Sequence, residues 1–133
     1  SDVGGVDLMS NGLASIMTPK TAVAIQGLSA GILSWFSSAI GVVWPTMVPT
    51  VGSIAAQVGV KPDGLITIMC LTASFAGFSP ASTGGSLIMA ANATDPDFTK
   101  EKENKLFIQM FGLSGLLLFL TVLAGLLGVY NIL

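Results

Sequence analysis

Few side chains in this 133-residue sequence can do chemistry, and most of those are hydroxyls. Histidine and arginine are absent, Cys70 is the lone cysteine, and no carboxylates pair within the apolar segments. Transition-metal chemistry and a proton relay through a buried acid therefore both fit poorly. The hydroxyls gather at two places. Ser37 and Ser38 stand together in WFSSAIG, and Ser79, Ser82 and Thr83 share FSPASTGGS with Pro80, Ala81, Gly84 and Gly85, a run that breaks any helix. This pattern points to binding, and the chain is expected not to be an enzyme. Hydroxyls supply donors, and glycines let the backbone come close to a solute. Half-helices restarting after Ser38 and after Gly85 would aim their free N–H groups and positive dipole ends at one point, which suits a carboxylate. Ser38, Ser82, Thr83 and freed carbonyls nearby could coordinate a sodium ion.

The elements that must hold these groups are those of an all-α integral membrane protein. Hydrophobic residues make up 52% of the chain and charged ones 9%, against roughly 25% charged in soluble domains. The mean hydropathy is +0.82. A net charge of −2 gives no footprint for nucleic acid. Residues 106–133, LFIQMFGLSGLLLFLTVLAGLLGVYNIL, carry no charge and at about 1.5 Å per residue exceed a hydrocarbon core of roughly 30 Å, so they predict a C-terminal transmembrane helix. Residues 94–105, TDPDFTKEKENK, hold seven of the twelve charges and read as a cytoplasmic loop, with Thr99 capping the next helix. Lys100, Lys102 and Lys105 favour that side, which puts the C-terminus outward.

The middle of the chain is less regular. Residues 1–20 read as a polar segment or the end of a preceding helix, with no basic region or cleavage site of a signal peptide. Residues 21–60 contain two short apolar arms meeting at Ser37 and Ser38, which predicts a re-entrant hairpin. Residues 64–93 are long enough to cross the bilayer only if joined through the break, which predicts one discontinuous transmembrane helix. Unmet backbone groups cost several kcal/mol each in lipid, so such a break implies protein, water or a ligand that satisfies them.

Other features read as packing. Gly27 and Gly31 in GLSAG, and Gly112, Gly115, Gly125 and Gly128, suit close helix contact. Trp35 and Trp44 flank the hairpin tip and could wall a pocket or anchor at an interface. Gln26 and Asn92 should bond within the bundle, Lys20 beside Pro19 should reach an interface, and Cys70 should be a packed, inert thiol.

Three ordered stretches, GGVDLMSNGLASIMTPKTA, FSSAIGVVWPTMVPTV and FSPASTGGSL, resemble the C-terminal part of bacterial MatC-type malonate and dicarboxylate carriers, relatives of the divalent-anion/sodium symporters of the ion transporter superfamily. The resemblance covers Gly4 to about Asn92. It implies the second of two inverted repeats, with a re-entrant hairpin, a broken helix and substrate bound at the hairpin tips near the bilayer midplane. Ser37, Ser38 and Ala39 would form the tip, where sodium-coupled relatives carry Ser-Asn-Thr. Ser79, Pro80, Ala81, Ser82, Thr83, Gly84 and Gly85 would form the facing unwound loop. Implied with these are alternating-access transport of malonate, malate or succinate in a bacterial inner membrane, a sodium or proton coupling ion, and a first repeat or second copy as partner. The competing expectation is a non-transporting assembly subunit that packs through the faces of Gly27 and Gly31.

Overall fold

The computed structural model describes residues 4–128, all-helical with no strand among them. Residues 1–3 and 129–133, the two ends of the expected first and last segments, lie outside the described residues. Six α-helices follow in order: α1 (Gly5–Ile16), α2 (Ala22–Trp35), α3 (Trp44–Val58), α4 (Pro62–Ala76), α5 (Thr83–Asn92) and α6 (Lys100–Leu126), with a π-helical turn, Ala39–Val43, leading directly into α3. Two continuous helices, Ala39–Val58 and Lys100–Leu126, are long and apolar enough to cross a membrane.

Helix α6 is the ruler of the molecule. At 27 residues it is about 40 Å long, and Ser114 lies near its middle. Near its C-terminal end, a Cβ built on Gly125 would meet Ile68 Cδ1 at 2.7 Å and Val23 Cγ1 at 3.5 Å. One turn short of its middle, Leu118 fills the space over Gly31. At the middle, Ser114 Oγ accepts from Trp35 Nε1 at 2.9 Å and lies 3.2 Å from the Phe75 carbonyl. Residue numbers on α2 and α4 rise as those on α6 fall, so α2 and α4 run parallel to each other and antiparallel to α6. Both stop at the middle of α6.

Two apolar clusters hold this arrangement. Ala22, Val23, Val51, Ile54, Leu65 and Ile68 join the start of α2, the end of α3 and the start of α4 at one level. Ala30, Val43, Met47, Met69 and Ala73 join the end of α2, the start of Ala39–Val58 and the end of α4 at another. The chain thus runs along α2 to the middle of α6 and returns along α3 to the level where it began. The buried positions of the returning arm, Val43, Met47, Thr50, Val51, Ile54 and Ala55, recur every three or four residues and form one face. Gly59 at φ +77° ends α3, its N–H and that of Val60 both bonding to the Ala55 carbonyl; Pro62 then opens α4.

Beyond the break, α5 carries the chain on to the start of α6, against which it packs. The charged run 100–105, expected as loop, forms the first turns of α6, because Lys and Glu are good helix formers and Glu101 and Glu103 complement the positive end of the helix. Thr99 does cap it, its hydroxyl accepting from Lys102 N.

Candidate functional site

The two hydroxyl motifs build the same device. Ser38 is extended, with φ −103° and ψ 130°, and its hydroxyl accepts from the N–H of Gly41 at 3.1 Å. Ser82 is extended, with φ −81° and ψ 165°, and its hydroxyl accepts from the N–H of Gly85 at 3.1 Å. Each is therefore an N-cap within a Ser-x-x-Gly sequence, Ser38-Ala39-Ile40-Gly41 and Ser82-Thr83-Gly84-Gly85. Each serine carbonyl also accepts in turn, from Val42 and Val43 at one place and from Ser86 at the other. Ala39 and Ile40 at one start, and Thr83 and Gly84 at the other, keep N–H groups without a partner among the described residues.

Helix α5 therefore starts at Thr83, not after Gly85. The serine cap decides the boundary, and both glycines fall in the first turn. Gly85 sits there because a Cβ would run into the Ser79 carbonyl, with the Ser79 carbonyl carbon at 2.5 Å and Pro80 Cα at 2.9 Å. The loop is compact: Ser79, Pro80 and Ser82 are buried, whereas Ala81, Thr83 and Gly84 are exposed. Ser79 Oγ accepts from Ala81 N at 3.3 Å.

Ser82 has a second property. Its Oγ lies 2.6 Å from the Gly77 carbonyl oxygen and 2.7 Å from that of Ser79, yet a hydroxyl has one proton to donate. The hydroxyl proton is therefore shared between the two carbonyls or given to one of them, while Gly85 N–H donates to Ser82 Oγ and Ser82 N–H donates to the Ser79 carbonyl at 3.0 Å, so these oxygens are bonded within the loop. Ser38 and Thr83 are not part of this cluster; the Ser38 hydroxyl faces Gly41 N, and the Thr83 side chain is exposed.

The remaining expected residues divide by role. Ser37 bonds back to the Leu33 carbonyl and ends α2. Ala39 opens the π-helical turn, which the i to i+5 bond from Trp44 N to Ala39 O closes. The hydrogen bonds of each motif are local, reaching five residues at most, and none among the described residues joins 37–39 to 79–85. They are brought to one level by other residues. Ser34 Oγ donates to the Ala73 carbonyl at 2.7 Å, tying the end of α2 to the end of α4. Ser114 and Trp35 tie both ends to α6.

Ser34 and Ser114 escaped the sequence reading because each lies inside an apolar helix; their burial at 0% exposure marks them. Asp7 was also passed over. It stands exposed in the first turn of α1, two residues before Met9, which packs at the level of the hairpin tip. Trp35 walls a groove and packs against Phe111 with ring centres 5.3 Å apart and planes tilted by 34°, whereas Trp44 packs on the cluster at the tip. Asn92 bonds within α5, and Gln26 bonds within the bundle through its Nε2, which donates to Met69 Sδ at 4.0 Å, while its buried Oε1 has no partner among the described residues. Among the described residues no group of acids, histidines and cysteines could hold a metal ion. No family model, curated protein or solved structure matches the chain.

Proposed function

We propose that this chain is the second repeat of a secondary transporter for small dicarboxylates, working by alternating access in a bacterial inner membrane. The observation that carries the reading is the pair of serine-capped helix starts, each with two free N–H groups, at the level where α2 and α4 stop beside the middle of α6. With α6 across a bilayer whose hydrocarbon core is roughly 30 Å thick, that level is close to the midplane. Interrupted backbone there is tolerated where it lines a ligand site, and two positive helix ends on one plane suit two carboxylates. In this reading 21–60 is a re-entrant hairpin and 64–93 a discontinuous spanning helix. A coupling sodium ion would draw on the Ser82 hydroxyl and the carbonyls of Gly77 and Ser79, in exchange for the hydrogen bonds that now join them.

The half of α6 preceding Ser114 is largely exposed, and so is α5 beside it, which leaves room for the other repeat or an inverted second copy. The competing reading, an assembly subunit binding through Gly27 and Gly31, draws less support from these two positions. Ile68 and Thr72 cover Gly27, and Leu118 covers Gly31, all from within the chain.

The test is uptake of labelled malonate and succinate into proteoliposomes holding the purified chain, with and without a sodium gradient. Uptake in the wild type, lost in Ser38→Leu and in Ser82→Leu at unchanged expression, is the expected outcome. Undiminished uptake in both variants would sink the site assignment. Absence of uptake by folded protein would require the missing repeat for activity.

A further inference from the structure

An apolar groove runs between α2 and α6 along the outside of the molecule. Its inner part, about 270 Å³, is lined by Leu28, Trp35, Gly115, Leu118, Phe119 and Val122. Its outer part, about 220 Å³, shares Leu28 and Val122 and ends at Thr21 and Leu126. The polar atoms of its walls are already engaged. The Trp35 N–H donates to Ser114, and the Thr21 hydroxyl pairs with that of Thr18 at 3.0 Å. From Thr21 to Trp35 the groove follows the whole of α2, about 20 Å, and it stops where α2 stops. Immediately before Thr21 stands Lys20, exposed and without an acidic partner among the described residues. Lys61 and Asp63 lie at the same end, at the start of α4.

We infer that this groove holds one acyl chain of an anionic phospholipid whose phosphate pairs with Lys20. The inference rests on the membrane reading above. One leaflet's hydrocarbon is about 15 Å deep, and a chain rooted at the headgroup level of Lys20 would run from Thr21 to end against Trp35 at the midplane. A neutral helix from another protein would fill the groove equally well but would leave the cation at its mouth unanswered. A basic side chain beside an acyl-sized slot is what anionic lipid fits. Because Trp35 also holds the end of α2 to Ser114, lipid in the groove would brace the arm that carries the hairpin tip.

The experiment uses the full chain with Trp44→Phe, which leaves Trp35 as its one tryptophan. This variant is reconstituted in phosphatidylcholine vesicles containing a minor fraction of acyl-brominated phosphatidylglycerol, and in the converse mixture with the bromines on phosphatidylcholine. The expected result is preferential quenching of Trp35 by the brominated anionic lipid. The apparent affinity ratio should be about fivefold, the effect of one basic residue at an anionic surface, and should fall to near one in Lys20→Gln. A Lys102→Gln control, at the other end of α6, should leave it unchanged. Equal quenching by both lipids overturns the anionic preference. No quenching by either, with the chain inserted, means that protein fills the groove and overturns the proposal while the membrane reading stands. Failure to insert into any vesicle overturns both.

Discussion

Ser82 and Gly85 show how narrowly the loop between α4 and α5 is determined. Replacing Ser82 with Ala removes the acceptor for Gly85 N–H and the contact with two carbonyls, and should cost about 1 kcal/mol through the cap alone. Gly85→Ala places a methyl against the Ser79 carbonyl and should cost about 1–3 kcal/mol by overpacking. Gly112→Ala, where an added Cβ meets nothing within 4 Å, should be neutral or stabilise by up to about 1 kcal/mol. Thermal unfolding of the three variants in one detergent checks the order. A Gly85→Ala protein as stable as Gly112→Ala would mean that the loop can open at no cost. That Ser79 to Gly85 form a break was legible from proline and glycine chemistry; that the serine, not the second glycine, sets the helix start was not, since both residues favour helix boundaries and only the packed loop chooses between them.

At the scale of elements, the stopping points of α2 and α4 depend on α6. Trp35 and Ser114 share one hydrogen bond, and Ser114 also reaches the carbonyls at the end of α4. Trp35→Phe and Ser114→Ala each remove that bond, so their effects should be non-additive by about 0.5–1.5 kcal/mol in a double-mutant cycle. Strict additivity would show the ends of α2 and α4 to be held independently of α6. The hairpin arms were legible as two short apolar runs around Ser37 and Ser38. The start of α6 was not, because the polarity of 100–105 says that these residues meet water and says nothing about their backbone, which favours helix.

For the whole molecule, the path of the chain makes a topological prediction. In a Cys70→Ser background, Lys20→Cys and Lys61→Cys should be labelled by an impermeant thiol reagent from the same side of a sealed vesicle, because the chain enters α2 and leaves α3 at one level. Lys102→Cys should be labelled from the opposite side, because α6 starts at the other end. Labelling of Lys20→Cys and Lys61→Cys from opposite sides would mean a net crossing between them and overturn the proposed midplane position of Ser38.

The sequence by itself determined what each segment could be. Its apolar content demands helices with few charges, and its serines, proline and glycines interrupt those helices at two places, since hydrogen bonding and backbone sterics act between near neighbours. Only the tertiary structure decided that both interruptions lie at one level, that Gly27, Gly31 and Gly125 face the chain's own Ile68 and Leu118, and that Ser34 and Ser114 fasten two helix ends to the middle of α6. These relations join residues dozens of positions apart, and no local propensity encodes the level at which one helix meets another; side-chain packing across the interfaces does.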